Sequence, residues 1–147
     1  REASGCPCFF IEFEDGMFYG FPDIDGGGVK VAEHSGGFEI GDPLADRREP
    51  DPVDTRRVES FMRACMPGVS SVAARQEVCF YTMTPDGNFV VDRHPEHAAV
   101  VFAAGLSGHG FKFASVLGKT LAELAMDGKS SVDIDFLGLN RPGLTRR

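Results

Sequence analysis

The stretch Gly105-Leu106-Ser107-Gly108-His109-Gly110-Phe111-Lys112 decides how this chain is read. It joins an apolar run, Ala98 to Ala104, to an amphipathic segment that starts near Phe111. Strand, glycine-rich turn and helix start together aim backbone N–H groups at an anion or an electron-rich ligand edge. The first N–H groups of a helix lack intrahelical partners, and the helix dipole adds partial positive charge there. Gly105, Gly108 and Gly110 allow close backbone approach, and Lys112 adds a full charge. A lysine at a helix start opposes the dipole, and local conflicts of that kind are enriched at functional sites. As a pattern alone such turns are common.

On either side of this stretch the periodicity changes. Phe113, Val116, Leu117, Leu121 and Leu124 form the apolar stripe of a helix predicted from Phe111 to Met126, with Gly128 as its stop. A short strand, Val132 to Phe136, is predicted before the tail Leu139-Asn140-Arg141-Pro142. Upstream, Val72 to Met83 reads as a long strand with Cys79 and Tyr81 on one face. Thr84-Pro85-Asp86-Gly87 turns it, and Asn88 to Asp92 is expected to pair back on it as a hairpin. Ala98 to Ala104 lacks polar alternation and is expected to be a buried strand.

The first third of the chain reads as a three-stranded meander: Cys8 to Phe13, then Met17 to Phe21 after Glu14-Asp15-Gly16, then Val29 to His34. Alternation puts Lys30, Ala32 and His34 on one face of the third strand. Ser35 to Asp54 is polar, without periodicity, and reads as a loop. A helix capped at Asp54 or Thr55 runs to about Cys65, with Val58, Phe61, Met62 and Cys65 on one face. The order gives an α+β fold with a mostly antiparallel sheet rather than a βαβ repeat.

A chain of 147 residues holds one ordinary core. Its net charge of −7 argues against a nucleic-acid surface or a polybasic membrane patch. No apolar run approaches the ~20 residues needed to span a bilayer. The expectation is therefore a cytoplasmic protein with no nucleic-acid and no membrane partner. Cys6, Cys8, Cys65 and Cys79 are too irregularly spaced for a disulfide framework or a zinc site, so free thiols are expected and no metal. Lys30, His34, Tyr19 and Tyr81 on strands are ordinarily solvent-facing or core residues. Cys79 on a strand is ordinarily a small buried hydrophobe. The residues alone point to a soluble α+β domain with one anion-facing turn.

Five segments carry a resemblance. They are Tyr19-Gly20-Phe21-Pro22, Cys79-Phe80-Tyr81-Thr82-Met83-Thr84-Pro85-Asp86, Asp92-Arg93-His94-Pro95-Glu96, the run Ala103 to Phe113, and Leu139-Asn140-Arg141-Pro142. From about Phe9 to Pro142 the chain resembles the C-terminal part of the sarcosine, N-methyltryptophan and pipecolate oxidase group of D-amino-acid-oxidase-like flavoproteins. The resemblance implies FAD, bound covalently through Cys79. It implies that Gly108, His109, Gly110, Phe111 and Lys112 face the flavin's pyrimidine edge. Lys112 matches a contact to the substrate carboxylate, and Tyr19, His34 and Tyr81 match residues that line the substrate pocket. Lys30 matches a lysine near flavin N5 that assists oxygen reduction. Lys30, His34 and Lys112 are thus the implied catalytic set.

The implied reaction oxidises a secondary amino acid, N-alkyl or cyclic, to an imine and reduces O2 to hydrogen peroxide. Residues 1–97 would belong to the substrate-binding domain, and residues 98–147 would return to the FAD-binding domain. A dinucleotide-binding Gly-x-Gly-x-x-Gly is missing from the sequence, and Gly26-Gly27-Gly28 opens no helix pattern. The chain is therefore expected to be part of a longer oxidase, monomeric in the parent and completed by an N-terminal FAD-binding half. By itself it is expected to be inactive. A non-catalytic remnant or interaction domain is the alternative.

Overall fold

The computed structural model describes residues 6–46 and 48–145. The chain divides into two compact units, Arg1–Cys79 and Phe80–Arg147. The antiparallel α+β class holds in both.

In the first unit, β1 (Phe9–Phe13), β2 (Gly16–Phe21) and β3 (Lys30–Glu33) form the antiparallel meander β1-β2-β3. The hairpin turn is Glu14-Asp15 alone, because Gly16 pairs with Phe13 as the first residue of β2. Its glycine serves packing rather than the turn: a Cβ there would lie 2.8 Å from Arg57 Nη2 and 2.9 Å from Glu33 Oε1. Arg57 comes from α1 (Pro52–Cys65) and clasps Glu33 through Nε and Nη2, both at 2.7 Å. It also donates to the Asp15 carbonyl.

The cap of α1 is Asp51, earlier than expected. Its carboxylate accepts from Val53 N at 2.6 Å, and Pro52 supplies a pre-set φ at the first helical position. Phe61 and Met62 of α1 are buried against Phe18, with Phe9, Val31, Val58, Met66 and Val69 around them. Phe18 and Phe61 stack at 4.5 Å, their planes 4° apart. Cys65, expected on this face, is exposed instead, and Met66 takes its place.

In the second unit, β4 (Val90–Arg93) pairs antiparallel with β5 (Val101–Ala104). Helix α2 (Ala114–Asp127) closes over them and stops at Gly128, which adopts φ +74° as the sequence predicts. The core is Phe89, Val91, Leu124 and Leu137, packed by Val101, Ala103, Leu106, Leu117, Leu121 and Ile134. The predicted helix from Phe111 is divided: Phe111–Phe113 is a single 3-10 turn and α2 begins at Ala114.

Three expected strand features are absent. Val72 to Met83 has no ladder partner among the described residues, so β4 pairs with β5 and not with this segment. Alternation gives a tendency, but a strand needs a neighbour to exchange hydrogen bonds. Val132 to Phe136 is not a strand either. Ser130 Oγ accepts from Val132 N at 3.0 Å and Asp133 Oδ1 from Asp135 N at 3.2 Å, local bonds that displace a ladder and lead into a 3-10 turn, Asp135–Leu137. Finally, β5 is half-buried rather than fully buried. Among the described residues no helix is long and apolar enough to cross a membrane, and no cluster of three metal-ligating side chains occurs.

Candidate functional site

The site residues fall into two groups, one in each unit. The first stands on the face of the β1-β2-β3 sheet turned away from α1. Register places Tyr19 opposite Phe10 and Ala32, and Lys30 opposite Phe21. His34 continues the same face beyond β3, its N–H donating to the Met17 carbonyl at 2.7 Å. The Tyr19 and His34 rings are 6.4 Å apart, edge to face, and Phe10 lies 5.7 Å from His34. The Lys30 ammonium sits over Tyr19 at 5.6 Å and over Phe21 at 5.7 Å. Phe10 and Phe21 are exposed, and Tyr19 and His34 are half-buried. This face offers aromatic edges and one fixed cation, which suits an anionic or electron-rich ligand.

The second group is the turn. Ser107 is buried and lies at φ +46°. Its N–H donates to Thr82 O at 3.1 Å and its hydroxyl accepts from Thr84 N at 3.2 Å, tying the turn to the segment that follows Tyr81. His109 Nε2 is 3.2 Å from Gly87 O, and its ring lies 4.8 Å from Phe89. Gly108, at φ +76°, is seated against Tyr81: a Cβ there would be 2.4 Å from the ring. Only glycine fits that spot. Gly108, Phe111 and Lys112 are exposed, and Gly110 is buried. The N–H groups of Gly108, Gly110, Phe111 and Lys112 donate to no backbone carbonyl among the described residues. Lys112 Nζ lies 5.4 Å from the Phe113 ring centre.

The sequence profile of the FAD dependent oxidoreductases matches residues 1–124. The chain belongs to this family. A monomeric sarcosine oxidase from Bacillus sp. (strain NS-129) is 46% identical over 142 residues, 95% of this chain and 36% of that protein. An N-methyl-L-tryptophan oxidase from Yersinia pestis (strain Pestoides F) is 41% identical over 144 residues, 95% of this chain and 38% of that protein. The crystal structure of L-proline dehydrogenase from P. horikoshii superposes with a TM-score of 0.71 at 30% identity, over 86% of this chain and 32% of that one. The chain thus spans little more than a third of the length of the curated relatives it matches.

Within this family member, the structure brings Tyr19, Lys30 and His34 onto one sheet face and seats Tyr81 against Gly108. Cys79 is an exposed free thiol on the unladdered segment, so alternation sets no common face for it and Tyr81.

Sequence reasoning missed the support beneath the turn. Arg141, nearly buried, grips Asp86 with Nε at 2.7 Å and Nη2 at 2.9 Å, and donates to Leu137 O at 2.8 Å and Asn88 O at 3.2 Å. The Arg141 guanidinium holds the Asp86 carboxyl well below the usual carboxylate range, helped by Asn88 N and the Thr84 hydroxyl. The only local signal was that both residues lie in segments that resemble the family.

Proposed function

We propose that this chain supplies the substrate side of an FAD-dependent oxidase that converts secondary amino acids, N-methyl or cyclic, to imines and reduces O2 to hydrogen peroxide. The observation that carries the reading is the sheet face holding Tyr19, Lys30 and His34 together, in a chain 46% identical to a sarcosine oxidase over 95% of its length. Residues 1–97 form the substrate-binding part and residues 98–147 the segment returning to the FAD-binding domain. An N-terminal FAD-binding half completes the protein, which works as a cytoplasmic monomer.

The residues present suit a flavin. Cys79 offers an exposed thiol for a covalent bond. The turn at Gly108 is held so close to Tyr81 that no side chain fits, and the N–H groups of Gly108, Gly110, Phe111 and Lys112 have no backbone acceptor among the described residues. The chemistry that FAD supplies when bound is two-electron oxidation of the amine, coupled to reduction of O2. The chain's own groups do the rest. The N–H groups of Gly108, Gly110, Phe111 and Lys112 would hold the flavin's pyrimidine edge, where they would stabilise negative charge. In the second unit the Lys112 ammonium would hold the substrate carboxylate and Tyr81 would contact the substrate; in the first, Tyr19 and His34 would contact it from the sheet face. Lys30, fixed over two aromatic rings, stabilises negative charge as oxygen is reduced.

Acid denaturation of the full-length protein tests this reading. Yellow flavin is expected to stay on the polypeptide and to be released when Cys79→Ser is introduced. A full-length protein that carries no flavin, attached or free, and makes no peroxide from sarcosine or another N-methyl amino acid overturns the oxidase in favour of a non-catalytic interaction domain. The 147-residue chain by itself is expected to bind FAD poorly and to turn over no substrate.

A further inference from the structure

We infer that Ser107 and Thr84 are positioning residues: their paired hydroxyls set where Gly108 to Lys112 stand against Tyr81. The geometry stands by itself, and only the identity of the ligand at the turn rests on the oxidase reading.

Ser107 lies at φ +46°, between Gly105 at +57° and Gly108 at +76°. The left-handed region is costly for a residue with a Cβ and free for glycine. A serine among glycines in that region needs a reason lying in its side chain, and Ser107 is only 3% exposed. Its hydroxyl accepts from Thr84 N, donates to Gly105 O and lies beside Thr84 Oγ1, each at 3.2 Å. The Thr84 hydroxyl faces Asn88 O at 2.6 Å and Asp86 Oδ1 at 3.1 Å. Asp86 is in turn gripped by Arg141. A continuous polar chain therefore runs from the tail motif at Arg141, through two hydroxyls, into the turn. Tyr81 immediately precedes Thr82, whose carbonyl accepts from Ser107 N. Shifting Ser107 would thus slide Gly108 along the ring it is fitted to.

A role in holding up the fold predicts that loss of these hydroxyls weakens the whole unit. A positioning role predicts a local change that a hydroxyl-keeping variant restores. The experiment is backbone amide hydrogen exchange on the full-length protein, with flavin content measured on the same samples. Ser107→Ala is expected to speed exchange at the hydrogen-bonded amides of the turn, Ser107 and His109, by about tenfold or more, and Thr84→Val by a few fold, with α2 unchanged. Ser107→Gly is expected to behave like Ser107→Ala although it relieves the backbone conformation. Thr84→Ser is expected to exchange like the parent.

Three results overturn the inference: parental exchange in Ser107→Gly, equal exchange in Thr84→Ser and Thr84→Val, or loss of protection in α2 together with the turn in Ser107→Ala, Ser107→Gly and Thr84→Val alike. Absence of flavin from the parent protein overturns the oxidase reading instead and leaves the exchange result standing.

Discussion

The aromatic face of the first unit and the glycine turn of the second hold their exposed groups by opposite means. On the sheet face, Lys30, Tyr19, Phe21 and His34 are ordered by register and ring contacts. Around the turn, Ser107, Thr84, Asp86 and Arg141 make a network of hydrogen bonds, with one strained φ. Contacts of the first kind are weak, exposed and easily exchanged. A network of the second kind specifies one geometry and is costly to leave half-satisfied. Within the proposed oxidase, the first suits a surface that adapts to the substrate, and the second suits a turn that must not move.

The contrast can be broken from the core outward. The largest loss is expected from Phe61→Ala, which removes the ring stacked on Phe18 beneath the sheet face. Urea unfolding should show about 3–5 kcal/mol less stability. A loss under 1 kcal/mol would mean that the face does not depend on this core.

Gly108→Ala comes next, because its methyl would meet the Tyr81 ring at a φ that disfavours side chains. About 1–3 kcal/mol should be lost, and part of it recovered when Tyr81→Ala is added. Full additivity of the two changes would show that the close seat is not real.

Asp86 gives a smaller effect with a distinct pH signature. Its folded-state pKa is depressed below the ordinary 3.8, so its contribution is complete at neutral pH and is lost only as pH falls through and below that range. The gap in urea midpoint between parent and Asp86→Asn should stay constant from neutral pH to about pH 5 and close below about pH 4. A gap that closes already between pH 7 and 5 would assign the effect to another group.

Lys30→Met is the mildest. It removes an exposed cation from over two rings, at a stability cost of about 0.5–1 kcal/mol. Peroxide formation by the flavin-loaded full-length protein should nevertheless fall at least tenfold, and unchanged turnover would remove Lys30 from the catalytic set.

Much of the fold was legible in the sequence because its signals are local. The β1-β2-β3 meander follows from period-two alternation with short connections, and α2 from its apolar stripe and its glycine stop. Failures came where a partner decides the outcome. Val72 to Met83 alternates like a strand yet meets no neighbouring strand among the described residues. Val132 to Phe136 loses its N–H groups to Ser130 and Asp133. The site divides in the same way. Alternation placed Lys30 and His34 on one face, but only register brought Tyr19 between them. The pairing of Asp86 with Arg141 spans 55 residues and leaves no periodic trace.

All four cysteines are exposed free thiols. That turns covalent attachment into a counting problem. Alkylation of the unfolded, flavin-free chain should label Cys6, Cys8, Cys65 and Cys79 equally. Protein isolated with its flavin attached should leave Cys79 unlabelled and the other three modified. The chain thus carries three internal standards against which the state of the fourth sulfur can be read, without any measurement of catalysis.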